Sequence, residues 1–232
     1  MTLYQSLACH QNLCYLCKKL NMGIKINLQR TETELFCSSK WWGDPDLPAD
    51  MEYPTVEVTD EDGTYGYPLT FVCQIDCEDI APLDPEGKLP HQGMFYIFAG
   101  VDEYLEGFDS PFHNGEGEWG RKMAVVKYTK AINFETFRSA ILVDDEDEPL
   151  TQPALKMSFE ACADTDDCTK LLGIPFFEEV RQEMEGCVNF LQIDSDTAGL
   201  RFYDEGQLNL LYTKADFAAG KWKLVKAYMS SC

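Results

Sequence analysis

Two short motifs, Gln74-Ile75-Asp76 and Gln192-Ile193-Asp194, carry the side chains best suited to a binding site. Each motif ends an apolar segment typical of a strand, so an amide and a carboxylate stand together where the strand meets a turn. If the two copies face each other across a cleft, Gln74, Asp76, Gln192 and Asp194 are candidate ligand-binding residues. The alternative is structural, because such side chains also hydrogen-bond the backbone and fix strand register.

Catalytic equipment is otherwise sparse. Asp194, Asp196 and Asp204 could supply oxygen ligands to a divalent cation, although acidic strand ends and turns are common. The three histidines form no metal-ligand pair, and no nucleophile elbow, phosphate-binding loop or dinucleotide fingerprint occurs. The sequence therefore favours a protein without catalytic activity, cofactor or resident metal. The alternative is a small-ligand-binding or hydrolytic enzyme that uses the paired Gln-Ile-Asp motifs, with or without a divalent cation.

Cysteines near the start of the chain raise the question of zinc. Cys9, Cys14, Cys17 and Cys37, with His10 adjacent, contain a single Cys-x-x-Cys, whereas structural zinc sites normally have two such pairs. Apolar residues recur at helical spacing here, which favours an amphipathic helix with buried thiols. The ten cysteines lack compact spacing, and no secretory signal precedes them. We therefore expect a cytoplasmic protein with mostly free thiols.

Charge is unevenly distributed along the chain. The net charge is −21, and the segment from Gly43 to Gly120 holds nineteen acidic residues against the single Lys88. Nucleic acids and anionic membranes would be repelled, so neither is an expected partner. One interpretation is a solvated surface that maintains solubility. The other is an acidic face that attracts a basic protein partner. The oligomeric state cannot be read from these patterns.

Hydrophobic periodicity predicts a mixture of strands and helices. Helices are expected over Leu3–Asn21, from Asn133 to Ile141, and over Phe176–Glu185. The predicted strands are Gly23–Leu28, Leu69–Ile75, Gly93–Ala99, Met123–Tyr128, Val188–Ile193, Leu200–Tyr203 and Gln207–Tyr212. Since no regular β-α-β alternation occurs, the prediction is an α+β fold of mostly antiparallel sheets with flanking helices.

A repeated pattern indicates internal duplication. Lys40-Trp-Trp-Gly-Asp-Pro45 and Lys170-Leu-Leu-Gly-Ile-Pro175 share Lys-x-x-Gly-x-Pro, and each precedes a Gln-Ile-Asp copy and a glycine-opened strand. We predict one compact domain in four parts. Residues 1–37 form an N-terminal helix and strand that pack on the core, 38–143 a first repeat, 144–168 an acidic connecting loop region, and 169–232 a second repeat.

The chain resembles the YwqG-like family of uncharacterised, mostly bacterial proteins. The resemblance rests on Lys40–Pro48 with Tyr53-Pro54, on Phe71–Asp76 and on Lys170–Pro175, followed by Phe190–Asp196 and Tyr203–Gly206. It implies a duplicated, soluble, cytoplasmic α+β domain with no established catalytic residues. It also implies a role like that of family members regarded as neutralising or immunity-type partners of toxins. With the charge distribution, this predicts a non-catalytic binding or immunity-type protein that engages a basic protein partner.

Overall fold

The fold is dominated by strands. The computed structural model describes residues 22–61, 63–106, 110–143, 147 and 149–232. Strands account for 41% of it and helices for 13%. The prediction of an α+β fold is therefore wrong, because the protein is mostly β and is built on a large curled antiparallel sheet. The predicted helix Leu3–Asn21 lies outside the described residues.

The described residues form fifteen strands. They are β1 (Met22–Arg30), β2 (Lys40–Trp41), β3 (Asp46–Leu47), β4 (Thr55–Asp60), β5 (Gly63–Pro68), β6 (Thr70–Asp76), β7 (Met94–Ala99), β8 (Gly117–Glu118), β9 (Ala124–Thr129), β10 (Arg138–Ser139), β11 (Leu155–Ala163), β12 (Lys170–Leu171), β13 (Cys187–Asp194), β14 (Gln207–Thr213) and β15 (Lys226–Ser230). Eleven form the main sheet, in the order β8-β15-β14-β13-β12-β1-β11-β2-β6-β7-β9. Two further pairs, β3 with β10 and β4 with β5, complete the sheet structure.

The two halves of the main sheet pair their strands in the same way. In the first half β2 pairs with β6, which places Lys40 opposite Gln74. In the second half β12 pairs with β13, which places Lys170 opposite Gln192. The sheet then continues through β7 and β9 in one half and through β14 and β15 in the other. This common register supports the proposal of an internal duplication.

Local backbone geometry also repeats. Trp42 and Leu172 both have left-handed backbone angles, with φ values of 58° and 60°, and a glycine of positive φ follows each. The N–H of Trp42 donates to the carbonyl of Val72, and the N–H of Leu172 donates to that of Phe190. Each acceptor lies at a register shift in its long strand. The Lys-x-x-Gly-x-Pro motif therefore encodes a short strand, a left-handed turn and a bulge contact in both halves.

The halves exchange their first strands at the centre of the sheet. β1 and β11 pair along nine residues, from Met22 opposite Ala163 to Arg30 opposite Leu155. β1 also pairs with β12 of the second half, while β11 pairs with β2 of the first half. Residues Leu155–Ala163, which fall in the segment predicted to be an acidic connecting loop, thus form one of the two central strands.

The sheet curls until its two edge strands approach each other. β8 and β9 end the strand order on opposite sides, yet only residues 119–123 separate them in the chain, which span at most about 20 Å. The Trp222 ring packs against both halves, with its centroid 4.9 Å from that of Phe95 on β7 and 6.0 Å from that of Phe190 on β13. The main hydrophobic core lies inside this curl.

Helices in the described residues are short. They are α1 (Cys77–Ile80), α2 (Glu178–Glu183) and α3 (Lys214–Ala218), with 3₁₀ turns at Ala81–Leu83, Asp102–Tyr104, Thr197–Gly199 and Trp222–Leu224. The helix predicted from Asn133 is wrong. The Asn133 side chain accepts from the N–H of Glu135, but after one turn the chain enters β10, which pairs with β3. The strand predicted at Leu200–Tyr203 is also absent beyond a single bridge at Leu200. No helix of the described residues is long and apolar enough to cross a membrane.

Candidate functional site

The first predicted glutamine lies inside the protein and binds the backbone of its own half. Gln74 is fully buried on β6. Its Oε1 accepts from the N–H of Asp46 at 2.9 Å, and its Nε2 donates to the carbonyl of Ser38 at 2.9 Å and to Asp46 Oδ2 at 2.8 Å. Gln74 thus joins the residues that flank β2 and holds the Lys40 motif against β6.

An ion pair is buried beside this glutamine. Lys40 Nζ lies 2.8 Å from Asp46 Oδ2, and the Asp46 side chain is completely buried. The carboxylate also accepts from the backbone N–H of Cys37 at 2.8 Å and from Ser139 Oγ at 2.7 Å. A buried ion pair that is fully hydrogen-bonded resists disruption, because removal of one partner leaves an uncompensated charge. Asp46 therefore organises four segments of the first half.

The second glutamine makes the equivalent contacts without the ion pair. Gln192 Oε1 accepts from the N–H of Phe176 at 3.0 Å, and its Nε2 donates to the carbonyl of Cys168 at 2.9 Å. Phe176 follows the second Lys-x-x-Gly-x-Pro motif as Asp46 follows the first. The second half therefore keeps the glutamine contacts and lacks the carboxylate.

Lys170 is buried without an ion pair among the described residues. Its ammonium donates to the backbone carbonyls of Asp164 and Asp166 at 2.8 and 2.5 Å. Burial lowers the pKa of Lys170. The lysine is thus held by carbonyl oxygens of the loop after β11, which ties this loop to β12.

The predicted aspartates lie at the strand ends and are half-buried. Asp76 Oδ1 accepts from the N–H of Glu78 and caps α1, while Asp194 Oδ1 accepts from Gln207 Nε2 at 3.1 Å. Burial raises the pKa of both carboxyl groups. Their backbone N–H groups donate to Ser39 Oγ and Thr169 Oγ1, each at 2.9 Å.

The two predicted pairs remain in separate halves. Four strands, β2, β11, β1 and β12, lie between β6 and β13 in the sheet, and no hydrogen bond in the described chain joins one Gln-Ile-Asp copy to the other. Both glutamines bond the backbone, as the structural alternative anticipated. A ligand role for Gln74, Asp76, Gln192 and Asp194 stays a prediction, and the cavity described below is lined by other residues.

The cation alternative finds no assembled site in the described part of the chain. Nowhere in it do three or more His, Cys, Asp or Glu side chains come close enough to hold a metal ion, so Asp194, Asp196 and Asp204 do not form the cluster considered above. His91 and His113 each face a single carboxylate, that of Asp84 at 3.3 Å and that of Glu103 at 3.4 Å.

Every cysteine in the described residues is a free thiol, as expected. They are Cys37, Cys73, Cys77, Cys162, Cys168, Cys187 and Cys232. Cys37 is buried, and burial raises its pKa to about 11. The remaining members of the zinc candidate, Cys9, Cys14, Cys17 and His10, lie outside the described residues.

A cavity of about 60 Å³ contains a carboxylate that the sequence did not single out. Asp102 opens the 3₁₀ turn after β7, is only 4% exposed and accepts from the hydroxyls of Thr70 and Tyr67. Aromatic and apolar side chains form most of the wall: Trp42, Tyr53, Tyr67, Leu69, Phe71, Leu105, Leu142 and Leu150. No lysine, arginine or histidine of the described chain lines the cavity. Asp102 is therefore a buried carboxylate without a cationic partner there.

Burial raises the pKa of Asp102 to about 6 from its ordinary value of 3.8. The folded protein holds this proton more tightly than the unfolded chain does. The contribution of Asp102 to stability is therefore fully present below about pH 4 and is lost as the pH rises through about 6. Tyr53 and Tyr67 face this group, and the carboxyl of the nearby Asp44 also has a pKa raised by burial.

Replacing Asp102 with asparagine should remove this pH dependence. The Asp102→Asn variant keeps the shape of the side chain but carries no charge at any pH. Relative to the parent protein, its free energy of unfolding should rise by about 3 kcal/mol between about pH 4 and pH 7.5, since one pKa unit corresponds to about 1.4 kcal/mol. Urea denaturation across this pH range measures the difference. The matched variant Asp50→Asn, at an exposed position, should show a flat difference. A flat difference for Asp102→Asn would contradict the assignment.

The fold and these contacts define the class of protein. It is a mostly-β chain, and in each half a short strand with a buried lysine pairs with a long strand that carries a buried glutamine. The chain belongs to the family described as "Domain of unknown function (DUF1963)", whose model matches residues 39–231. This match is compatible with the resemblance to the YwqG-like family. No curated protein matches the chain. The central strand β1 lies outside the matched residues.

Proposed function

We propose that this protein is a non-catalytic binding protein whose acidic surface engages a basic protein partner. If that partner is a toxin, the protein is of the immunity type. The observation that carries the proposal is the exposure of the carboxylates between Gly43 and Gly120. Exposed positions in this stretch include Asp50, Glu52, Glu57, Glu61, Glu78, Asp79, Glu86, Glu106, Glu116 and Glu118.

Few of these carboxylates are neutralised by the described basic residues. Lys88 pairs with Glu86 at 3.0 Å and Lys226 pairs with Glu118 at 3.1 Å, and the others just named form no such pair with a described residue. Lys127 donates instead to the backbone carbonyl of Glu52. A net negative field therefore survives at the surface, and such fields accelerate association with oppositely charged proteins.

The hairpin β4–β5 is a suitable place to test this proposal. Glu57 and Glu61 are exposed on it, and its far end carries Tyr67, which lines the Asp102 cavity. The hairpin therefore brings acidic side chains and the cavity wall into one element.

The experiment combines salt dependence with matched charge removal. The full chain is used to capture partners from a native lysate at 50 mM and at 500 mM salt. Between these concentrations the electrostatic screening length falls from about 14 Å to about 4 Å. The association rate of the captured protein is then measured with Glu57→Gln/Glu61→Gln and with Glu183→Gln/Glu185→Gln, two exposed positions outside the acidic stretch. We expect high salt to weaken capture. We expect Glu57→Gln/Glu61→Gln to slow association several-fold and Glu183→Gln/Glu185→Gln to leave the association rate unchanged. Equal slowing by both variants, or capture that salt does not weaken, would contradict the proposal.

A further inference from the structure

The cavity around Asp102 has the chemistry of a site for a positively charged group. Asp102 has hydroxyl donors on its carboxylate but no cationic partner in the described chain. A buried charge is costly unless an opposite charge compensates it. The cavity therefore offers a negative centre to whatever enters it.

The walls favour the same kind of ligand. Trp42, Tyr53, Tyr67 and Phe71 contribute four aromatic side chains to the cavity. Aromatic rings attract cations through the negative potential of their faces, most strongly where water is excluded. The rings are also held in place by their neighbours. The centroid of Tyr53 lies 5.0 Å from that of Phe98, and that of Tyr67 lies 5.3 Å from that of Phe112, both in edge-to-face geometry.

The size of the cavity selects among cations. A cavity needs about 10–15 Å³ for each water-sized group that it holds. The volume of about 60 Å³ therefore accommodates about four to six heavy atoms. The aliphatic chain and ammonium of a lysine side chain contain five. A guanidinium with its three methylenes contains seven and is planar and wider. The volume therefore fits a primary alkylammonium better than an arginine side chain.

Exposed carboxylates lie close in the chain to residues that line the cavity. Leu150 is 43% exposed and lies at the rim, and the preceding residue, Pro149, forms an isolated bridge with Val143. Asp147, between the bridged residues, is exposed, as is Glu106 after Leu105 on the cavity wall. A basic segment drawn to these carboxylates would therefore lie close to the cavity wall.

We propose that the Asp102 cavity binds the ammonium end of a lysine side chain presented by the basic partner protein. This inference rests on the proposed function and identifies the chemical group that the partner inserts. The aliphatic part of the lysine would lie against Leu105 and Leu150, and its ammonium would face the Asp102 carboxylate. No covalent step is involved, so occupancy is a reversible binding equilibrium.

The direct test uses small probes on the full chain. n-Butylammonium, its neutral analogue n-butanol and n-propylguanidinium, which matches the arginine side chain, are titrated at pH 7.5 and followed by calorimetry and by tryptophan fluorescence. We expect n-butylammonium to bind at least tenfold more tightly than either of the other probes. Equal affinity for n-butanol would show an apolar cavity without cation selectivity and would overturn the proposal. Tighter binding of n-propylguanidinium would overturn the choice of lysine.

Variants and pH identify the responsible group. Asp102→Asn should abolish n-butylammonium binding, whereas Glu183→Gln, which also removes one negative charge but lies outside the cavity and the acidic stretch, should leave it unchanged. In the parent protein the affinity should fall about tenfold for each pH unit below about 6, as Asp102 gains its proton. Asp44→Asn is the second control, because burial also raises the pKa of this neighbouring carboxyl group. The pH dependence of n-butylammonium affinity should be unchanged in this variant. Binding that survives in Asp102→Asn, or that does not change with pH, would overturn the proposal.

The two proposals fail in different ways. If n-butylammonium does not bind but charge removal on the β4–β5 hairpin still slows partner association, the lysine site is wrong and the acidic surface proposal survives. If n-butylammonium binds but capture of the partner is insensitive to salt, the cavity is a cation site and the acidic surface proposal is wrong.

Discussion

Replacing Gly93 with alanine should destabilise the protein by more than about 4 kcal/mol or prevent its folding. Gly93 precedes β7 and has a φ of +90°, outside the range that alanine adopts readily. A Cβ at this position would lie 2.0 Å from the carbonyl oxygen of Thr129 and 2.9 Å from the backbone of Lys130. Because these are backbone atoms of the last residue of the paired strand β9 and of the residue that follows it, they cannot move without disturbing the sheet edge. Losses above 4 kcal/mol are exceptional, and severe overpacking combined with backbone strain is one of their known causes.

A second glycine separates the clash from the backbone conformation. Gly87 also has a positive φ, of +63°, but nothing lies within 4 Å of a Cβ placed there. Gly87→Ala should therefore cost only about 1–2 kcal/mol, the ordinary penalty for a left-handed alanine. Urea denaturation of both variants measures the two losses, and expression yield reports a complete failure to fold. Similar losses for both variants would mean that the approach of β9 is looser than the structure indicates.

Replacing Lys40 and Lys170 with methionine should have unequal effects, although they occupy the same motif position. Lys40→Met leaves the Asp46 carboxylate buried without its cation, and such a loss typically costs about 3–5 kcal/mol. Lys170→Met removes a buried ammonium whose contacts are two backbone carbonyls beside exposed loop residues, so water can replace it. We expect a loss of about 1 kcal/mol there. The free energy of unfolding in urea measures both.

A double variant tests whether charge causes the difference. Lys40→Met/Asp46→Asn removes both charges and leaves an amide whose oxygen still accepts from Cys37 N–H while its nitrogen donates to Ser139 Oγ. It should recover at least half of the stability lost in Lys40→Met alone. If the double variant is less stable than the single one, the glutamine and hydroxyl contacts of Asp46 matter more than the ion pair. Equal losses for Lys40→Met and Lys170→Met would contradict the asymmetry.

Strands with a continuous apolar pattern could be predicted from the sequence, and the short helices could not. The predicted strands at Leu69–Ile75, Gly93–Ala99 and Gln207–Tyr212 correspond to β6, β7 and β14 within one or two residues. In contrast, the helix signal at Asn133 is local. The side chain does cap a turn, but pairing of β10 with β3 redirects the chain. A cap predicts where a helix can begin and contains no information on the strand that competes for the same residues.

The candidate residues show the same limit. The lysine and glutamine motifs were visible because they occur twice, and their shared register explains why both copies keep them. Asp46 directly follows the first Lys-x-x-Gly-x-Pro motif, whereas Phe176 follows the second, and this difference between the two halves is visible in the sequence. Asp102 has no sequence signal at all. Its burial depends on Thr70 and on wall residues from distant segments, which only the folded chain brings together.

The strand exchange at the centre of the sheet constrains the order of folding during synthesis. β1 emerges first, but its partners β11 and β12 are more than a hundred residues away in the chain. Contacts of such long range form late, because the loop between them must close first. Until the ribosome has delivered β11, β1 and β2 both present unsatisfied edges, which are sites of aggregation. The first half therefore cannot complete its sheet until the second half has been synthesised, and the two halves fold as one unit.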